Sequence, residues 1–341
     1  MNTSKFVLPA ILVAAALALS GCSAATSGSA GGSGGSGGSS GALRVVATTT
    51  QVADLTRNVV GETSGVSVTQ LVQPNQSAHA YDPSAADLTA LGRADVLVIN
   101  GVGLEAWLTD AIDSSGFHGV TIDSDTGITI AADAAGNDET AHPGDAAHDH
   151  AGGNPHIWTD VANAEAMVRT IEKGLAAAAP RHADAFTANA AAYGAKLAEL
   201  DAWIRTNVDQ VPAGRRLLVS NHDAFGYFTT AYGITYVGSV IPSFDDNAEP
   251  SAAAIDRLVA AIKTTGVKAV FSEASISPKA ADTIARQAGV AVYSGEDALY
   301  GDSLGPAGSD GATYIASQLH NVRLILRSWG VTPSAVPADL Q

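Results

Sequence analysis

Leu43-Arg44-Val45-Val46-Ala47-Thr48-Thr49 is a run of β-branched and small residues, and residues 51–60 follow it with apolar positions at helical spacing. A strand that leads straight into an amphipathic helix opens a βαβ unit. The same rhythm continues, with strands expected over 66–72 and 95–99 and helices over 84–92 and 104–113. It returns after residue 214. There strands are expected over 216–220, 235–238, 268–271 and 290–293, and helices over 224–232, 251–264, 278–287 and 312–329. Alternation of this kind predicts an α/β fold of mainly parallel sheets flanked by helices.

Between the two series lies a helical stretch, 161–208, broken near Pro180. Its second part, 183–208, is rich in Ala, Leu, Lys and Glu, all good helix formers. At 1.5 Å per residue it would be about 39 Å long. Read as one helix, it is a stiff spine between two lobes; the other reading is a pair of ordinary surface helices. The expected division is an N-terminal lobe over 42–160, a helical linker over 161–210 and a C-terminal lobe over 211–341.

The chain of 341 residues carries 18 Lys+Arg against 34 Asp+Glu, a formal net charge of −16. That excess argues against a nucleic-acid partner, whose binding depends on clustered Lys and Arg. One cysteine, Cys22, excludes an internal disulfide framework and a Cys-rich zinc module. It closes the first segment of the chain. Lys5 precedes an apolar run over 6–19, too short to span a bilayer, and Leu19-Ser20-Gly21-Cys22 follows. This reads as a secretory signal over 1–21. The four residues resemble a bacterial lipobox, which implies a diacylglycerol on Cys22. Residues 22–41, Gly- and Ser-rich and uncharged, would then be a flexible tether of about 25 Å.

Residues 131–153 break the α/β pattern. They are acidic, small and His-rich, with nothing to bury, and are expected to form a mobile loop. A plain linker needs no histidine, whereas short His tracts commonly bind metal. His142, His148 and His150 are therefore read as a weak auxiliary metal-collecting group.

Three other histidines stand where α/β sheets bind ligands, at the carboxyl ends of strands or at loop-to-helix junctions. His79 precedes Pro83 and a helix, His156 lies in Asn154-Pro155-His156-Ile157-Trp158, and His222 follows the strand expected over 216–220. His118, His182 and His320 are read as bystanders. Asp302, in Tyr300-Gly301-Asp302-Ser303-Leu304-Gly305, occupies a similar place, although an Asp in such a loop is usually a turn former. Three His and one Asp make a donor set that Zn²⁺ favours. They lie far apart in the chain, and each alone is a weak signal.

Taken together, the ordered motifs resemble those of the metal-specific solute-binding lipoproteins of ABC importers, of the zinc/manganese type. The residues that carry the resemblance are the lipobox, Ser77-Ala78-His79-Ala80-Tyr81-Asp82-Pro83, Asn154-Pro155-His156-Ile157-Trp158, Asn221-His222-Asp223-Ala224-Phe225-Gly226-Tyr227-Phe228, Phe271-Ser272-Glu273-Ala274-Ser275-Ile276-Ser277-Pro278-Lys279 and the loop around Asp302. One departure is visible: the first motif often begins Asp-Pro-His, and here Ser77-Ala78 precedes His79. The resemblance implies two α/β lobes joined by a rigid helix, with one metal ion between them held by His79, His156, His222 and Asp302. It also implies an ABC importer permease as partner and a monomer anchored through Cys22 to lipid on the extracytoplasmic face of the cell membrane. Manganese-selecting members tend to carry a carboxylate at the third position, where this chain has His222. Imidazole suits zinc, so Zn²⁺ is the first expectation and Mn²⁺ the second. Glu273 is read as a structural acid ahead of an outer partner of the site. Two rivals remain, a cell-envelope zinc hydrolase and an adhesin. The hydrolase is disfavoured because a fourth protein donor would close the position that catalytic zinc leaves to water.

Overall fold

The computed structural model of the chain describes residues 42–131 and 153–341. The expected signal at 1–21, Cys22 with its tether, and His142, His148 and His150 lie outside the described residues.

The N-terminal half is one parallel sheet of order β2-β1-β3-β4, built from β1 (Leu43–Ala47), β2 (Val66–Gln70), β3 (Val96–Ile99) and β4 (Val120–Asp123). Helices α1 (Thr50–Val60), α2 (Ala85–Gly92) and α3 (Leu108–Ser115) alternate with the strands. Thr49 caps α1 by accepting from Val52 N, and Ser84 and Asp87 form a reciprocal capping box on α2. The second strand was expected to reach residue 72. Its regular pairing stops at Gln70, yet Leu71 N and Val72 N still bond to Ala47 O and Thr48 O, so the alignment carries on into the loop. Strand β4 was not foreseen: it is short, lies at the sheet edge, and leaves Val120 exposed.

Helices α4 (Val161–Ala178) and α5 (Ala183–Val208) follow, separated by a 3₁₀ turn at Pro180–His182. The long helix has the expected bounds. Phe186, Ala190, Tyr193, Leu197, Leu200, Ile204 and Val208 form its buried stripe, three or four residues apart. It packs on α1 and α4, and on α9 (Tyr314–Ser328) near the C-terminus.

In the C-terminal half, β5 (Leu217–His222) pairs in parallel with β6 (Thr235–Ile241), and β7 (Ala269–Phe271) with β8 (Ala291–Tyr293). Strand β5 lies against β7, and α6 (Gly226–Ala231), α7 (Ala252–Thr265) and α8 (Lys279–Ala288) complete the α/β alternation. The sequence divides the chain into two lobes without saying which apolar faces meet. Two smaller apolar clusters do belong to single halves. The largest, however, runs from β1 and α1 through α4 and α5 to α9, so both halves and the spine share one core.

Candidate metal centre

His79 sits in the loop after β2. Trp107 Nε1 donates to Ala78 O at 2.9 Å, Tyr81 packs edge-on against the Trp107 ring, and the backbone N of His79 donates to Ser77 Oγ at 3.2 Å. Ser77 Oγ in turn donates to Asp246 Oδ1 of the C-terminal half at 2.7 Å.

His156 opens a 3₁₀ turn at Ile157–Thr159 that leads into α4. Asn154 Oδ1 accepts both its backbone N at 3.0 Å and its Nδ1 at 2.8 Å. The same amide oxygen takes both bonds, so the ring carries its proton on Nδ1 and turns the Nε2 lone pair inward. Farther back, Asn100 Nδ2 donates to Pro155 O at 3.0 Å. Asn100 is fixed by the buried Glu105, whose Oε1 accepts from Asn100 N at 2.7 Å and from Thr48 Oγ1 at 2.6 Å. Burial pushes the Glu105 carboxyl up, against the pull of those donors. Val102 in this loop has φ +55°, rare for a β-branched residue, and its N is held by Asp125 Oδ2 at 2.9 Å. A further ring of bonds closes the chain ahead of His156: Asn154 N donates to Ala131 O, Ala131 N to Tyr227 Oη, and Tyr227 Oη to Asn154 O at 2.8 Å.

His222 is the last residue of β5, not the second residue beyond the strand. Its pairing with Ile241 of β6 holds Asn221 and His222 in the sheet, although neither residue type favours a strand. Glu273, just beyond β7, accepts from His222 N at 3.0 Å and from Nδ1 at 2.8 Å through the same Oε1. Of the two roles open to Glu273, these bonds favour the outer partner of the site over the structural acid. An isolated parallel bridge between Glu273 and Leu299 brings the Asp302 loop alongside.

The structure brings all four foreseen residues to one point. Asp302 Oδ2 lies 3.1 Å from His79 Nε2 and 3.1 Å from His222 Nε2, and Oδ1 lies 3.2 Å from His156 Nε2. One donor atom from each of the four residues falls within 4.8 Å of the others. All four are buried, His156 and His222 completely. Bonds of about 2.0–2.1 Å to a tetrahedral ion put neighbouring donors roughly 3.3 Å apart, close to these separations. Both Asp302 oxygens are buried without a hydrogen-bond partner. The Nε2 atoms of His156 and His222 stand 3.2 Å apart, although each ring's proton is committed on Nδ1. A buried carboxylate and imidazole nitrogens converging on one point call for a cation or for protons.

The charges respond accordingly. Burial pushes the His222 imidazole down, but the Asp302 and Glu273 carboxylates outweigh it and hold it well above its ordinary value. His79 is likewise pushed down by burial and lifted overall by Asp302. At His156 burial wins, and its pKa drops to about 4. Burial alone would raise Asp302, yet the three imidazoles hold it well below the usual carboxylate range. The other histidines lie elsewhere. His118 is in an exposed loop, His182 precedes α5, and His320 is buried in α9 with Nε2 2.9 Å from Ala298 O.

Residues 45–328 match the family described as "Zinc-uptake complex component A periplasmic". The chain belongs to that family. Among its relatives is the manganese-binding lipoprotein MntA of Halalkalibacterium halodurans, 33% identical over 280 residues, covering 82% of this chain and 86% of the relative. The zinc-binding protein TroA of Treponema pallidum is 30% identical over 286 residues, covering 83% and 87%. The zinc-binding protein AdcA of Streptococcus pyogenes is 32% identical over 295 residues, covering 83% of this chain but 56% of its own length. The solved structure of the T. pallidum periplasmic zinc-binding protein superposes with a TM-score of 0.73 at 28% identity, covering 85% of this chain and 99% of that one. Among the described residues no helix is long and apolar enough to cross a membrane.

Proposed function

We propose that the chain is an extracytoplasmic zinc carrier that captures Zn²⁺ with His79, His156, His222 and Asp302 and delivers it to the permease of an ABC importer. The observation that carries this reading is the buried Asp302 carboxylate, whose oxygens lie 3.1–3.2 Å from three imidazole Nε2 atoms and meet no other donor. Three neutral nitrogens and one anionic oxygen form a donor set suited to zinc, whereas manganese prefers more oxygen. Relatives are named for either metal, and it is the donor chemistry that supports the zinc reading. Four protein donors around one point favour holding an ion over activating a water at an open position, which disfavours the hydrolase alternative.

In this reading Cys22 carries the lipid anchor, residues 22–41 are the tether, and the folded part is a monomer with lobes over 42–160 and 211–341 about the 161–210 linker. His142, His148 and His150 collect zinc weakly on its way in.

The test is competition between Zn²⁺ and Mn²⁺ on the purified chain, followed by metal analysis, together with His222→Glu and His118→Ala. One tightly held Zn²⁺ per chain is expected, with selectivity moved toward Mn²⁺ in His222→Glu and unchanged in His118→Ala. A His222 variant that binds zinc like the native chain would refute the four-donor site.

A further inference from the structure

Asp302 lies in the C-terminal half of the sequence, and both shoulders of its loop are fastened there. Tyr300 N donates to Asn321 Oδ1, Asn321 Nδ2 donates back to Tyr300 O, and Gly305 N bonds to Gly311 O, each at 2.8 Å. The residues between are held from the other side. Gly301 O accepts from Gln51 Nε2 at 2.9 Å and from Trp158 Nε1 at 3.2 Å. Leu304 N donates to Thr50 Oγ1 at 2.9 Å, and Thr50 Oγ1 donates to Gln51 Oε1 at 2.8 Å, which aims the Gln51 amide. Asn75 N donates to Ser303 Oγ at 2.8 Å. Thr50 and Gln51 form the first turn of α1, and both are buried.

We infer that Thr50 and Gln51, with Trp158, are positioning residues for Asp302: they hold the 301–304 segment on the N-terminal half and thereby govern how fast a bound ion is released. The inference rests on the metal-centre reading above. Its physical content is a division of labour among the four donors. His79 and His156 issue from the N-terminal half, and Asp302 is pinned to it at the residue before and two residues after. His222, by contrast, is held by Ser220, Tyr236 and Glu273 of the C-terminal half. When the halves separate with the Thr50–Gln51 bonds intact, His222 is the donor withdrawn, and three donors stay behind. When those bonds are lost, Asp302 can leave as well, and the ion is left with half its donors. A buried hydrogen bond is worth roughly three- to tenfold in an equilibrium constant, and two or three act here together.

The experiment loads the full chain with Zn²⁺ and times its release to excess chelator, and in parallel records the visible spectrum of the Co²⁺-loaded chain. Gln51→Glu keeps the shape of the side chain but exchanges its donor for an acceptor opposite Gly301 O. Thr50→Val removes the hydroxyl, and Thr50→Ser restores it. Gln51→Glu and Thr50→Val are expected to release zinc about tenfold faster or more. Their Co²⁺ bands should shift as the carboxylate leaves its place, and Thr50→Ser should return both readouts to native values. Should Gln51→Glu fail to fold, Thr50→Val with its serine rescue carries the test alone. Native release rates and native Co²⁺ spectra in the substituted chains would overturn the inference while leaving the metal centre standing. A native chain that holds no ion would overturn both.

Discussion

Loading the site must expel protons, and the structure says which donors hold them. In the metal-free chain His79 and His222 sit above the ordinary imidazole value, because the pull of Asp302, joined at His222 by Glu273, exceeds the cost of burial. Burial holds His156 down at about 4, and Asp302 is kept ionised by its three neighbours. At pH 6.5 His79 and His222 therefore favour their protonated forms in the empty site, and a bound ion tolerates no proton on its donors. Acid thus favours the empty state. Each proton displaced lowers the logarithm of the affinity by about one per pH unit, so affinity should fall roughly 10- to 100-fold between pH 6.5 and 5.5. The same shifts act on the metal-free fold in the opposite sense. Its His79 and His222 contribute stability that is present below about pH 6.5 and lost as pH rises through their folded-state values. The stabilisation conferred by the bound ion should therefore shrink in acid in step with its affinity. Calorimetric titration at pH 6.5 in two buffers of different ionisation heat gives the proton count directly. No proton released would refute the charge balance drawn from Asp302 and Glu273; three would show that burial does not hold His156 neutral.

Gly301→Ala should fold normally by circular dichroism yet bind zinc about 10- to 100-fold more weakly, since the added Cβ would overlap Glu273 Oε2 and displace the carboxylate that orients His222. Asp123, half-buried beside Asp125, has a pKa raised to about 6 by burial first and by that neighbour second, so it subtracts stability as pH rises from about 4 through 6. Asp123→Asn should melt higher than the native chain at pH 7.5 and alike at pH 4; an equal difference at both would dispose of the ionisation account. Cys22→Ala should leave the chain in the soluble fraction of the producing cell with unaltered zinc affinity, and retention in the membrane fraction would count against the lipobox.

The elements set by local chemistry were legible in the sequence. The spine has its expected bounds because Pro180 breaks the preceding helix and good helix formers fill residues 183–208. His79 and His156 could be singled out because strands and caps around them are local features. The features that escaped depend on contacts between distant segments. His222 was expected just beyond β5; Asn and His disfavour strands, and the pairing of His222 with Ile241 keeps it in. The role of Glu273 hangs on a neighbour far away in the chain, and nothing local distinguishes it from a core-edge acid. Gln51 looked like any polar residue in the first turn of a helix, yet it reaches across to Gly301. The shared core was missed for the same reason: each half shows its own apolar periodicity, and the sequence does not say which faces meet.

The bonds that join Ala131, Asn154 and Tyr227 suggest a use for the molecule as an engineering chassis. Ala131 and Asn154 are tied to each other by the Asn154 N to Ala131 O bond and to α6 by Tyr227, so the fold itself fixes these two points side by side. Doubling the length of chain between such fixed points costs only about 0.6 kcal/mol of closure entropy. A foreign module spliced between residues 131 and 154, such as a circularly permuted fluorescent protein, would be joined through Asn154 to the very residue that orients His156. Strain from loading the site would reach the insert over two residues of backbone, which is the wiring a genetically encoded reporter of bound metal needs.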